Sequence, residues 1–133
     1  MFKYNDKRLK PIKYYKYAPF VLVKSAERYL VKPNTRVWVD TGLIIDKDDE
    51  FVKNNINKSL IMLNLYDYYG VLGLTQPSLN IYSLNYNKTF KILVNNTTNK
   101  DIFIKQFDFI AQVFIIPTQN FKELRDEKRN YTR

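Results

Sequence analysis

The stretch 101–117 reads DIFIKQFDFIAQVFIIP and consists of two apolar runs that flank a short polar corner. β-Branched and aromatic residues dominate both runs, which is typical of strands on a pleated, largely buried surface. The corner holds Lys105, Gln106 and Asp108, so the pattern predicts a strand, a tight turn and a second strand forming one hairpin. Because the second run is almost continuous in apolar residues, we expect it in the core of a sandwich or barrel.

Similar short patterns recur along the chain and predict an all-β fold with little helix. The predicted strands are 20–24, 28–31, 36–46, 59–66, 78–82, 89–94, 102–104 and 109–116. In the longest of them Gly42 predicts a bulge or a close backbone approach, and Asp40 is expected on a solvated face. The polar segments 46–57 and 95–99 are predicted to be loops, 68–73 a turn-rich connection, and 120–129 a short amphipathic helix.

Two absences from the composition limit the chemistry of the chain, which has no cysteine and no histidine. The lack of cysteine removes disulfides and thiolate chemistry, and it fits an intracellular protein. The lack of histidine removes Ser-His-Asp systems, imidazole catalysis and the usual zinc sites. No signal peptide and no membrane-spanning helix are predicted. An enzyme built on this sequence would depend on carboxylates, Tyr, Lys and Arg, and on a hard cation such as Mg²⁺.

The net charge of +9 is concentrated near the N-terminus, because residues 1–36 hold ten basic and two acidic residues. In the segment 1–17, called here the basic arm, tyrosines alternate irregularly with basic side chains, which are Lys3, Lys7, Arg8, Lys10, Lys13 and Lys16. One interpretation is an arm that binds either the phosphates of a nucleic acid or the surface of an acidic protein. The other is a solvated tail whose tyrosines pack on the body or on a neighbouring subunit.

Three segments of the chain together resemble the dUTP pyrophosphatase (dUTPase) family, which has a β-clip fold. The segment 31–45, VKPNTRVWVDTGLII, is similar to the family's strand and Pro turn that lead to Thr-Gly and an apolar run. Tyr86, followed by the strand 90–96, resembles the segment after the family's catalytic hairpin. The segment 107–113, FDFIAQV, resembles the family's Gly-Asp/Glu-Arg-Ile-Ala-Gln-Leu motif. The resemblance covers about residues 18–117.

This resemblance implies a distorted β-barrel, a homotrimer and a nucleotide site. By position it implies that Tyr86, Asp108 and Gln112 contact the nucleotide, with Tyr86 matching the family's sugar-discriminating tyrosine. No cofactor is expected, apart from Mg²⁺ if nucleotide binding is retained. The expected divisions are the basic arm 1–17, a dUTPase-like domain 18–117 and a charged C-terminal helix or tail 118–133. The Asn-, Lys-, Ile- and Tyr-rich composition suggests an AT-rich genome, such as that of a large DNA virus.

Departures from the family pattern lead to the expectation that the chain is not an enzyme. Ser83 stands where the family has its water-activating Asp, and no Arg-Ser-Gly occurs near 64–67. Phe107 and Phe109 replace the Gly and Arg of the family motif, and there is no Gly-rich terminal arm. Splitting a triphosphate requires a base and groups that neutralise charge. The sequence therefore predicts an inactive structural or interaction module.

Two alternatives to the inactive module stay open. The first is a nucleic-acid-binding module that uses the basic N-terminal region. The second is residual nucleotide binding or dUTP pyrophosphatase activity, with a displaced site formed by Asp67, Asp108 and Tyr86. Against the second alternative, Asp108 is interpreted as a turn residue that accepts hydrogen bonds from nearby backbone N–H groups.

Overall fold

The computed structural model describes residues 1–5, 8–9 and 20–118. Short strands make up 47% of this part of the chain. The strands are β1 (Phe2–Tyr4), β2 (Phe20–Lys24), β3 (Tyr29–Val31), β4 (Arg36–Asp40), β5 (Leu43–Ile45), β6 (Ser59–Leu65), β7 (Leu74–Thr75), β8 (Asn80–Ser83), β9 (Lys91–Asn96), β10 (Ile102–Ile104) and β11 (Phe109–Pro117). Two helices of one to two turns, α1 (Glu50–Asn55) and α2 (Asp67–Leu72), lie between strands. The predicted all-β fold class is confirmed.

The sheets are small and antiparallel, and β11 lies inside the largest of them. That sheet has the strand order β2-β11-β6-β8, while β4-β9-β7 form a second sheet and β1-β5 and β3-β10 form pairs. β11 places Ile110, Ala111 and Val113 in the core, where each is at most 1% exposed. This agrees with the nearly continuous apolar run, which is typical of a strand with neighbours on both sides.

The predicted hairpin of 101–117 is wrong, because β10 and β11 do not pair with each other. β10 pairs with β3, and β11 pairs with β2. The chain therefore keeps one direction through the corner 105–108 that joins β10 to β11. At that corner the Phe107 N–H donates to the Ser25 carbonyl, and the Ser25 N–H donates to the Asp108 carbonyl, both at 2.8 Å. The segments 20–31 and 102–114 therefore form one bulged antiparallel ribbon, called here the long ribbon. The polar corner is a bulge that bends the ribbon and does not reverse the chain.

The predicted strand 36–46 is two strands in separate sheets, and the break falls at Gly42. Its φ is +66°, and a Cβ atom there would lie 3.2 Å from the Ala26 Cβ. Before it, the Thr41 hydroxyl donates to the Phe90 carbonyl at 2.7 Å and accepts from the Leu43 N–H at 3.1 Å. Gly42 thus provides both a left-handed backbone and a close approach, as the sequence predicts.

The polar segment 46–57 contains α1, where the sequence predicted a loop. Asp49 is its N-cap, and one carboxylate oxygen accepts from the Val52 N–H at 3.4 Å. The other Asp49 oxygen lies 3.4 Å from the ammonium group of Met1, and Asp46 lies 3.9 Å from Lys3. Asp49 therefore caps α1, and both carboxylates lie near cations of the N-terminal residues 1–3.

Several predictions concern residues that the structure does not describe. The helix predicted for 120–129 lies outside the described residues, as do Lys7, Lys10, Lys13 and Lys16 of the basic arm. Within 1–5, 8–9 and 20–118, no helix is long and apolar enough to cross a membrane.

Candidate functional site

Tyr86 lies in the loop between β8 and β9 and is held there by aromatic packing. Its ring stacks on Phe90, with centroids 5.5 Å apart and an interplanar angle of 29°, and it lies 4.6 Å from the Tyr82 ring. Phe90 is fully buried, and the Tyr86 N–H donates to the Ser83 carbonyl at 3.1 Å. The Tyr82 hydroxyl donates to the Lys91 carbonyl at 2.6 Å, so the base of the loop is closed as well. The Tyr86 ring is therefore a fixed, half-buried surface.

A cavity of about 250 Å³ opens beside this ring. β5 and Tyr86 supply apolar lining, and Lys3, Lys47 and the Asn87 amide supply polar groups at the same cavity. Asp48 also lines it. An apolar lining with a few convergent polar groups is the usual composition of a small-ligand site.

Asp40, which the sequence predicts on a solvated face, contributes a carboxylate near this loop. It is half-buried, and its Oδ1 accepts from the Gly42 N–H at 2.8 Å while its Oδ2 accepts from the Thr89 hydroxyl at 3.2 Å. Asp40 is the last residue of β4 and lies on the same face as the exposed Arg36 and Trp38, as the sequence predicts, and its hydrogen bond to Thr89 joins it to the β8–β9 loop. In the sequence, the Thr-Gly dipeptide that follows Asp40 was the signal that could have identified this carboxylate as part of the site.

Asp108 lies in the bulge of the long ribbon, where its side chain bonds to α2. The Tyr69 hydroxyl donates to Asp108 Oδ2 at 3.0 Å and accepts from the Lys105 N–H at 3.4 Å. Tyr69 is 1% exposed. Burial, followed by the hydrogen bond to the Asp108 carboxylate, raises the pKa of Tyr69 to about 12. Among the described residues, the Asp108 carboxylate thus accepts its hydrogen bond from a tyrosine distant in sequence and not from nearby backbone N–H groups.

Tyr69 makes stability depend on pH in alkaline solution. Its pKa is higher in the folded chain than the ordinary value of 10, so above about pH 10 the unfolded chain loses a proton that the folded chain keeps. We expect the free energy of unfolding to fall as the pH rises from about 10 to 12, and to fall less in Tyr69→Phe. Urea unfolding of both proteins across this range measures the difference. Parallel curves would show that Tyr69 is not responsible.

Gln112 lies in β11 and is half-buried between β2 and β6, opposite Leu22 and Asn64. Among the described residues, Tyr86 makes no hydrogen bond to Asp108 or Gln112. The three residues predicted to contact the nucleotide belong to three elements, the β8–β9 loop, the bulge of the long ribbon and β11. Asp67, from the displaced-site alternative, is exposed in the first turn of α2, two residues from Tyr69.

Phe107 and Ser83, which depart from the resembled family pattern, lie in the bulge of the long ribbon and at the end of β8. Phe107 has a φ of +69°, so it adopts a left-handed backbone at the position where the resembled motif has Gly. A side chain in that conformation costs roughly 1–2 kcal/mol. Ser83 is the last residue of β8 and is exposed. Of the basic arm, Lys3 belongs to β1, and the Arg8 guanidinium lies 5.5 Å from the Phe107 ring centroid.

Within the part of the chain that the structure describes, no group of three Asp or Glu side chains converges as a metal site would require. A magnesium ion at a nucleotide site would be held by the phosphates and water.

The fold matches that of solved dUTPases. The dUTPase from Streptococcus mutans has a TM-score of 0.68 and 18% identity, covering 87% of this chain and 94% of that chain. The dUTPase of Staphylococcus bacteriophage 80alpha with dUpNHpp has a TM-score of 0.69 and 14% identity, covering 88% and 81%. That of phage phi11 of S. aureus, with a structural Mg(II) ion, has a TM-score of 0.71 and 12% identity, covering 88% and 89%. No family model and no curated protein sequence matches the chain.

These comparisons define the chain first as an all-β protein and then, more narrowly, as one with the dUTPase-like fold. The resemblance found in the sequence is thereby confirmed for the fold. The prediction that the chain is not an enzyme is contradicted, because the structures that share the fold are those of enzymes. At these identities the similarity establishes the fold alone.

Proposed function

We propose that this chain binds a pyrimidine nucleoside triphosphate and that the Tyr86 ring is the platform for the nucleoside. The supporting observation is the position of Tyr86, stacked on Phe90 at the edge of a cavity in a chain with the dUTPase-like fold. The 80alpha phage dUTPase was solved with dUpNHpp, a nucleotide of this class.

The cavity suits one part of such a ligand. A volume of about 250 Å³ takes a base and a sugar but leaves a triphosphate outside. Lys3, which pairs with Asp46, and Lys47 line the same cavity beside Asp48 and would supply positive charge to the phosphates. The apolar side of the cavity, formed by Ile44 and Ile45, suits the ring of a pyrimidine.

A homotrimer is part of this proposal, as the resemblance implies. Since Tyr86 shares no hydrogen bond with Asp108 or Gln112 among the described residues, an assembly would allow different copies to bring them to one ligand. Large apolar side chains support self-association, because Val71 is 87% exposed and Leu79 is 64% exposed. A second copy that covers them would remove this apolar area from water.

Hydrolysis of the bound triphosphate is a second candidate function, favoured by the fold shared with dUTPases. The reaction needs a base that orients water, and Ser83 has no histidine to activate it. Asp40 is the carboxylate that the structure joins to the β8–β9 loop, through the hydroxyl of Thr89. It is our candidate for that base, and binding of the nucleotide would have to release it from Thr89.

Calorimetric titration with a non-hydrolysable dUTP analogue and Mg²⁺ tests the binding proposal. We expect micromolar binding by the wild type, a loss of about tenfold or more in Tyr86→Ala, and little change in Tyr86→Phe, which keeps the ring. Tyr68→Ala is the control, since Tyr68 is 57% exposed on α2. Pyrophosphate release from dUTP in the same samples reports hydrolysis separately. No heat at millimolar analogue would refute nucleotide binding.

A further inference from the structure

Three phenylalanine rings along the long ribbon each lie beneath a basic side chain. The Arg28 guanidinium is 5.4 Å from the Phe103 ring centroid, and the Lys24 ammonium is 5.6 Å from that of Phe109. Between them, the Arg8 guanidinium lies 5.5 Å from the centroid of Phe107 in the bulge. In the two outer pairs the cation comes from segment 20–31 and the ring from segment 102–114.

The two outer rings are partly exposed, and Phe109 also packs edge-on against the Tyr66 ring with centroids 6.2 Å apart. Phe103 is 50% exposed, whereas its neighbours Ile102 and Ile104 in β10 are buried. Phe109 is 41% exposed, and Leu30, paired with Phe103, is 42% exposed. These apolar groups face water on an antiparallel ribbon, where a strand ordinarily places polar side chains. Leu30 and Phe103 are cross-strand neighbours, so their exposed apolar surface is contiguous, and contiguous exposed apolar surface is a feature of interaction sites.

The charge around the long ribbon favours a polyanion. Besides Arg28 and Lys24, the exposed basic residues along its strands and ends are Lys32, Lys100 and Lys105. The acidic residues are Glu27, Asp101 and Asp108, and the Asp108 carboxylate already accepts a hydrogen bond from Tyr69. The surface thus combines net positive charge with half-exposed aromatic rings.

We propose that the outer face of the long ribbon binds single-stranded nucleic acid. Bases stack on Phe103 and Phe109, and Arg28 and Lys24 contact the phosphates. The two rings are six residues apart along the chain with a turn at 105–108 between them, so their Cα atoms lie less than about 20 Å apart, a span of a few nucleotides. An acidic peptide would pair with the cations but would leave the rings without a stacking partner. This proposal does not depend on the nucleotide site at Tyr86.

Fluorescence anisotropy of the full chain with a labelled oligothymidylate of about 15 nucleotides tests the proposal. We expect binding at about 50 mM salt that weakens strongly at about 200 mM. The affinity of the double variant Arg28→Gln/Phe103→Leu for the oligonucleotide should fall by at least about tenfold. Its matched control is Lys53→Gln/Phe51→Leu, which removes an exposed cation and an exposed ring from α1 and should leave binding within about twofold.

Four outcomes would overturn the proposal. The first is absence of binding at low salt, and the second is equal loss in the two double variants. The third is complete displacement of the oligonucleotide by polyglutamate of equal charge, which would identify an acidic protein surface as the partner. Excess dUTP analogue should not displace the oligonucleotide, and displacement would assign the binding to the Tyr86 cavity. Thermal melting of each variant, which should match the wild type, confirms that the exposed substitutions leave the fold intact.

Discussion

Substituting Gly73 by Ala is expected to destabilise the chain by about 2–4 kcal/mol. Gly73 ends α2 with a φ of +112°, and its N–H donates to the carbonyls of Gly70 and Tyr69. A side chain is strained in that backbone conformation, and a Cβ atom there would overlap the Cγ2 of Thr98. Thr98 cannot retreat freely, because its hydroxyl donates to Asn96 Oδ1 at 2.7 Å. Urea unfolding at neutral pH measures the loss.

Gly70→Ala is the matched control for this substitution. Gly70 lies inside the same helix, and a Cβ atom there would meet nothing within 4 Å. Alanine is the better helix former, so the variant should be more stable than the wild type by roughly 0.5–1 kcal/mol. If Gly73→Ala cost less than about 1 kcal/mol, or if both variants changed stability alike, the described approach of Thr98 to α2 would be wrong.

The second large effect is expected at Asn96, whose side chain is completely buried. Its amide group donates to the Val31 carbonyl at 2.9 Å and the Lys100 carbonyl at 2.7 Å, and its Oδ1 accepts from the Thr98 N–H at 2.9 Å. Asn96→Ala leaves these groups without partners, so we expect a loss of about 2–4 kcal/mol in the free energy of unfolding.

Two further variants separate the hydrogen bonds of Asn96 from its volume. Asn96→Asp keeps the size and one acceptor but turns a second oxygen toward two carbonyl groups, so it should be destabilised at pH 7 and recover partly in acid. Asn99→Ala, in the same loop but exposed, should stay within about 0.5 kcal/mol of the wild type. Equal stability of the wild type and Asn96→Asp at pH 7 would contradict the assigned bonds.

The strands could be predicted because their signal is local, whereas their pairing could not. Apolar alternation identified segments such as β2 and β11 almost to the residue, and Gly42 marked a break in the chain. The sequence predicts a hairpin turn at Phe107 in place of a bulge, because both have a polar corner between apolar runs. Only the partner segment 20–31 distinguishes them, and that partner is distant in sequence.

The two short helices and the site were harder to predict from the sequence, because they too depend on contacts between distant residues. α1 depends on a cap at Asp49 and α2 on the left-handed Gly73, and six residues are too few to establish a helical period. At the site, Tyr86 was identified from the family resemblance. The roles of Asp40 and Tyr69 depend on hydrogen bonds to Thr89 and Asp108, which chain folding alone brings near.

The long ribbon also has a consequence for how the chain folds. It joins Phe20 to Phe114 and Val31 to Ile102, so its strands are separated by most of the sequence. Closing such a loop costs entropy before any pairing compensates for it, and topologies of this kind fold slowly. During synthesis, β2, β3 and β6 must wait with open edges until β10 and β11 emerge. A nascent chain that stops before residue 102 would therefore depend on chaperones, since it lacks the strand that completes its largest sheet.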